Sequence, residues 1–148
     1  MNLNNFTIKA QEAVQHAQQI AMQEQHQAIE PAHLLKGILQ VDENVTPFVL
    51  KKLGVNFDNI KKATDSIIQS YPSVSGGSQY LSRTATEVLQ KANTYLRDFG
   101  DEFVALEHIL LALLSRGLFE AGFPHTAVWS EYARWIVELH FGQLLSQC

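Results

Sequence analysis

Apolar residues recur at helical spacing along most of the chain, with turn residues between the runs. In the first run Ala10, Ala13, Val14, Ala17, Ile20 and Ala21 share one face, which predicts a helix over residues 8–24 with the Thr7 hydroxyl capping its first turn. So many alanines on the buried stripe let a neighbouring helix approach closely. A second helix begins at Pro31, whose missing N–H costs nothing in a first turn, and buries Leu34, Leu35, Ile38 and Leu39. Glu30 or the side chain of His33 is placed to close that turn. A third is announced by Thr46 as cap and Pro47 at the first helical position, carries Val49, Leu50 and Leu53 inward, and stops at Gly54. Asn56 opens a fourth, in which Phe57, Ile60, Ala63, Thr64, Ile67, Ile68 and Tyr71 face inward and Asp58, Lys61, Lys62 and Asp65 face out. Ser82 then caps a fifth helix with Ala85, Val88, Leu89, Ala92, Tyr95 and Leu96 on its buried face. Gly100 turns the chain into a sixth, which buries Ile109, Leu110, Leu113 and Leu114.

The pattern occurs twice. Residues 28–39 return as residues 103–114 at a constant offset of 75, and Ala10, Glu12, Gln15 and Ala17 recur unchanged as Ala85, Glu87, Gln90 and Ala92. Register and identity kept over so long a stretch point to a duplicated helical unit. The chain therefore reads as one all-α domain of two tandem four-helix repeats: repeat one over 1–72, a small-residue linker over 73–78, and repeat two over 79–148. After Ser115 the offset fails, since Pro47 would meet Gly122 and Leu50 would meet His125. An offset of 68 aligns the Leu53-Gly54-Val55 segment with Ala121-Gly122-Phe123 and allows a final amphipathic helix near 125–145. The tail 116–148 also holds both tryptophans and no lysine, so a foreign or frame-shifted segment is the other reading of it, and the two stay open.

Composition narrows the function classes. With 11 basic and 15 acidic residues in 148, a net charge of -4, the chain lacks the basic face that a nucleic-acid binder concentrates. No apolar run is long and uninterrupted enough for a membrane span, and the first residues have no signal-peptide pattern. The single cysteine, Cys148, has no partner in the chain, which fits a reducing compartment; a cytoplasmic location is expected.

Catalytic chemistry finds little support. Six histidines stand at positions 16, 26, 33, 108, 125 and 140, and none forms the helical His pair with adjacent glutamate of a zinc protease. His33 and His108 are equivalent under the duplication, so one structural role shared by both repeats explains them. Glu107 and His108 point about 100° apart on a helix and do not converge. Gly76-Gly77-Ser78 has no lysine beside it and is no phosphate loop. No catalytic residue and no metal ligand is assigned. A small metal-dependent enzyme remains the distant alternative.

Several spaced motifs carry a family resemblance. Residues 6–13 (Phe-Thr-Ile-Lys-Ala-Gln-Glu-Ala), the block 29–35, Leu53-Gly54-Val55, Tyr80-Leu81-Ser82, Gly100-Asp101-Glu102-Phe103 and Glu107-His108-Ile109-Leu110 resemble the N-terminal domain of Clp ATPases, within the disaggregase branch. The resemblance is strong to about residue 115. It implies two pseudo-twofold-related repeats, joined in a longer protein to AAA+ ATPase modules that hold the ATP and Mg, with no cofactor in this domain. It further implies capture of exposed apolar segments of unfolded or aggregated polypeptides for threading by the ring, a homohexamer, in collaboration with the DnaK system. Nucleic acid and membrane are not expected as partners. Carried over residue by residue, the substrate-binding positions are Thr7, Asp101 and Glu107, with Val14 and Leu89 as candidates for an apolar groove. Each also has a structural reading: Thr7 as cap, Asp101 in a turn, Glu107 at a helix start where its charge suits the dipole, Val14 and Leu89 in the core. The alternative within the same fold is the adaptor-docking domain of a Clp protease ATPase.

Overall fold

The computed structural model describes residues 2–52 and 56–114. In chain order these form α1 (Ile8–Gln23), β1 (Ala28–Ile29), α2 (Pro31–Val41), α3 (Val45–Lys52), α4 (Phe57–Ser70), β2 (Tyr80–Leu81), α5 (Arg83–Phe99) and α6 (Leu106–Ala112). The side chains of Val49 and Leu50, Leu53, the stop at Gly54 and the tail from residue 115 lie outside the described residues. The fold is all-α apart from the two short strands.

Side-chain caps start three of the helices where the sequence places them. Thr7 Oγ1 accepts the Ala10 amide at 3.1 Å, Asn56 Oδ1 that of Asn59 at 3.2 Å, and Ser82 Oγ that of Ala85 at 3.0 Å. The start of α3 differs from expectation. The helix begins at Val45, and the Asp42 carboxylate takes over the capping role, accepting the amides of Asn44 and Thr46 and the Thr46 hydroxyl at 3.1, 2.8 and 2.6 Å. Thr46 is thus held as a donor, and Pro47 falls third in the helix, still among the amides that need no helical partner. In α2, Leu39 is only partly buried while Val41 is buried. In α4 the buried stripe narrows to Ile60, Thr64 and Ile68, and Asp65 turns to pair with Lys36 at 2.8 Å.

Packing follows the small residues of α1. A Cβ on Gly37 would collide with the Ala13 carbonyl oxygen, so α2 lies against α1 at a distance only glycine permits. Helix α5 packs on α6 in the corresponding way, with Ala112 where α2 has Gly37. Contacts of α1 with α6, α2 with α5, and α2 with α6 join the two pairs. One continuous core results, drawing Ala10, Ala13, Ala17, Leu34 and Ile38 from one repeat and Ala85, Leu89, Ala92, Ile109 and Leu110 from the other.

The repeats also exchange short backbone pairings that no periodicity announces. Strand β1 lies parallel to β2, with Ala28 opposite Tyr80 and Ile29 opposite Leu81, and Phe6 forms a parallel bridge with Val104. Under the offset of 75, Phe6–Val104 and Leu81–Ile29 are the same contact. The hydrogen bonds agree: Thr7 N donates to Val104 O at 2.8 Å, and Ser82 N to Ile29 O at 3.0 Å. Each repeat's entry into its first helix is thereby tied to the segment preceding the other repeat's second helix. The helix ends correspond as well. Gln25 (φ 60°) follows α1 and Gly100 (φ 69°) follows α5. The next amides, of His26 and Asp101, reach back to Ala21 O and Leu96 O at 2.7 and 2.9 Å.

Candidate functional site

The two symmetry-related histidines organise the ends of their helices. The Glu30 amide donates to His33 Nδ1 at 2.9 Å, and the Ala105 amide to His108 Nδ1 at 2.8 Å. A neutral ring with an accepting Nδ1 carries its proton on Nε2. That proton goes to His26 Nδ1 at 3.0 Å in repeat one and to Asp101 Oδ2 at 2.7 Å in repeat two. Positions 26 and 101 are themselves equivalent, so an imidazole occupies in one repeat the place of a carboxylate in the other. Both ring nitrogens of His33 and His108 are spent within the fold.

His26, His33 and Tyr71 cluster with ring centroids 5.2–5.6 Å apart, tilted or edge-on to one another. Burial, reinforced by nearby His26 and Lys36, lowers the His33 pKa to about 4. Burial, with a smaller push from Glu30, raises that of the Tyr71 phenol.

The repeats diverge most at the corner beside each cap. In one corner burial raises the Glu30 pKa, with a smaller opposing pull from the neighbouring Ser82. In the other, Ala105 stands where Glu30 would be and Thr7 where Ser82 would be. Thr7 Oγ1 accepts the Ala10 amide, but its own proton has no acceptor among the described residues.

A groove of about 640 Å³ opens at this second corner, between the start of α1, the end of α2 with its following turn, and the start of α6. Val41 and Leu106 form its apolar floor and Ile8, 76% exposed, its wall. Glu43 and Glu107 stand on its rim. The Asp42 carboxylate is turned to Asn44 and Thr46, and Lys9 Nζ donates to Val41 O at 3.3 Å.

Of the residues singled out by sequence, Thr7 and Glu107 meet in this groove. Asp101 is held by His108 and does not line it. Val14 and Leu89 are buried in the core, the other role their stripe allowed. Ile8, Glu43 and Ala105 were missed. Lining up the repeats at the offset of 75 displays the Glu30-to-Ala105 difference, but not that position 30 faces position 82. Among the described residues no three His, Cys, Asp or Glu side chains converge as a metal cluster, and no helix is long and apolar enough to cross a membrane.

Comparisons with known proteins bear on this arrangement. The family described as Clp repeat (R) N-terminal domain matches residues 5–123. The chaperone protein ClpB of Bacteroides thetaiotaomicron is 57% identical over 115 residues, covering 78% of this chain and 13% of that protein. The chain thus spans only about an eighth of the length of the curated relatives it matches. Among solved structures, the Hsp104 N-terminal domain from Candida albicans has a TM-score of 0.73 at 24% identity, covering 87% of this chain and 89% of that one. A ClpV N-domain in complex with a VipB peptide has a TM-score of 0.74 at 22% identity, covering 99% and 92%. At these identities the two structures speak to the fold alone.

Proposed function

Since the chain belongs to the Clp repeat N-terminal domain family and is of the ClpB type, we propose that it is the non-catalytic client-binding module of a disaggregase. It takes hold of exposed apolar segments of unfolded or aggregated polypeptides before an ATPase ring threads them. The observation that carries this reading is the groove in which Thr7, Ile8 and Glu107 meet: an apolar floor, a hydroxyl whose proton has no acceptor among the described residues, and an open side. The complex of a ClpV N-domain with a peptide supports the same use of the fold. The parent is a homohexamer whose ATPase modules bind ATP and Mg, and the DnaK system delivers or receives its clients.

A shallow groove buries modest area, so affinity for an unstructured chain is expected in the micromolar range or weaker. Weak contact suits the role, because a client must be released to the pore, and several domains around one ring raise the effective concentration.

Titration of the domain with a fluorescently labelled, permanently unfolded reporter protein tests the reading, using Thr7→Ala and Ser82→Ala as a matched pair. Each removes one helix cap, at about 1 kcal/mol. Only Thr7→Ala is expected to weaken client binding. Equal weakening by both variants would reduce Thr7 to a cap. Saturable binding of Clp adaptor proteins with no affinity for the unfolded reporter would instead assign the domain to adaptor docking.

A further inference from the structure

The linker between the repeats is laid over the turn that ends α1 and fastened there. Ser73 Oγ donates to Glu24 O at 3.2 Å, Val74 N to Gln25 O at 2.8 Å, and Tyr80 N to Gln27 O at 2.9 Å. Gly76 O accepts from Gln27 Nε2 at 2.9 Å. Between linker and turn lies a pocket of about 200 Å³, with Met22 and Val74 as apolar walls and His26 and Gln79 also in its lining. That is smaller than a drug-sized cavity and suits a group of a few heavy atoms.

The chemistry of the pocket is set by a relay that starts in the backbone. The Glu30 amide occupies His33 Nδ1, so the His33 proton stands on Nε2; that proton occupies His26 Nδ1, so the His26 proton stands on its own Nε2. His26 is thereby locked as a donor. It is only 6% exposed, and its Nε2 proton has no acceptor among the described residues. The Gln79 amide is fastened to the same residue, Nε2 donating to His26 O at 3.2 Å, and its buried Oε1 has no donor among the described residues. A buried group left unpaired costs about 1–3 kcal/mol, so a ligand that satisfies both gains by it.

Few groups can do so. A carboxylate brings no proton for Gln79 Oε1, finds no charged side chain in the lining among the described residues, and meets the negative end of the α1 dipole. A trans secondary amide holds its C=O and N–H on opposite sides. A primary carboxamide is neutral and carries one N–H on the same side as its oxygen.

We propose that this pocket is a site for a primary carboxamide, its oxygen accepting from His26 Nε2, its N–H donating to Gln79 Oε1 as that amide turns to the pocket, and its carbon chain between Met22 and Val74. The group is carried by free small molecules and by Asn and Gln side chains. The site shares no lining residue with the groove at Thr7 and Glu107 and does not depend on the client-binding reading.

The test is titration of the isotope-labelled 148-residue chain with propionamide at neutral pH, followed by amide NMR. Propionate and N-methylpropionamide serve as controls, and N-acetylglutamine methylamide as the side-chain form of the ligand. Propionamide is expected to shift the Val74, Gly76 and Gly77 amides saturably in the millimolar range, as suits a handful of heavy atoms, and on the order of tenfold more tightly than either control. His26→Phe, which keeps a ring and removes the donor, should abolish the shifts. Ser75→Trp, which fills the mouth from an exposed position, should do the same.

Tighter binding of the glutamine derivative assigns the carboxamide to a polypeptide side chain, and tighter binding of propionamide assigns it to a free small molecule; both keep the site. Equal shifts with propionate or N-methylpropionamide overturn the carboxamide reading. No saturable shift up to about 100 mM propionamide, well beyond the expected range, overturns the site itself. So do shifts that persist in Ser75→Trp with native helical signal, and this variant decides if His26→Phe does not fold.

Discussion

Acidification is expected to destabilise the first repeat through His33, and replacing its neighbour His26 by aspartate is expected to blunt the effect. His33 is fully buried and its pKa falls from an ordinary 6.5 to about 4. Between those values the unfolded chain carries a proton on this ring that the folded chain refuses. The unfolded state therefore binds more protons, and stability falls as pH falls. The contribution is complete above pH 6.5 and decays toward pH 4: about 2 kcal/mol is lost by pH 5 and about 3 kcal/mol by pH 4, taking 1.36 kcal/mol per unit of displacement. Geometry agrees with the sign. Nδ1 accepts the Glu30 amide, so a second ring proton must displace the hydrogen bond that closes the first turn of α2.

His26→Asp copies the second repeat, where Asp101 accepts from His108. A carboxylate beside the ring favours its charged form, which reduces the displacement. The stability lost between pH 7 and pH 5 should shrink by about 1 kcal/mol or more. Glu30 works in the opposite direction: its raised pKa means that the folded state gains a proton early on acidification, which stabilises it. That contribution is present in both proteins and cancels to first order in their difference. Urea unfolding followed by helical circular dichroism at pH 7, 6 and 5 measures the effect. A uniform offset between the proteins is immaterial; curves of stability against pH that run parallel would refute the role given to the His26–His33 pair.

Three further substitutions probe the frame. Gly37→Ala should lower stability by about 2–3 kcal/mol in urea melts, because the new methyl meets the Ala13 carbonyl and α1 must move off α2. Gln25→Gly should raise stability by about 0.5–1 kcal/mol, since a side chain now occupies a left-handed backbone position where the second repeat has Gly100; no change in the thermal midpoint would show that strain there is already relieved. Leu89→Ala should cost about 2–5 kcal/mol through the cavity it leaves while peptide affinity at a folded temperature stays the same, and a selective loss of affinity would return Leu89 to the binding surface.

Helices with strong amphipathic stripes and side-chain caps were legible in the sequence because both signals are local. Thr7, Asn56 and Ser82 fall where a hydroxyl or amide oxygen is needed, and the alanines of α1 foretell the close approach that Gly37 completes. Asp42 was not legible as the cap of α3, because Thr46 four residues later is as good a candidate until the backbone shows which carboxylate faces which amide. The pairings of Phe6 with Val104 and β1 with β2 are too short to have a period. The site was half legible for the same reason. Thr7 and Glu107 came from resemblance; Ile8, Glu43 and Ala105 depend on three segments that meet only after the repeats have docked.

Why the groove lies between the repeats, and not within either, follows from how each contact is made. Inside the first repeat, α1 and α2 meet backbone to backbone at Gly37 and Ala13, so closely that a single added methyl has no room. Between the repeats, the corner is fixed by main-chain hydrogen bonds, Thr7 N to Val104 O on one side and Ser82 N to Ile29 O on the other. These bonds do not depend on the side chain at position 30 or 105, so the corner keeps its shape whichever residue stands there. A glutamate stands there in one copy and an alanine in the other, where the groove opens and Thr7 is held in place by its cap to Ala10. A duplicated fold tied by backbone pairings can thus carry different side chains at two equivalent corners while the same main-chain bonds hold the halves together at both.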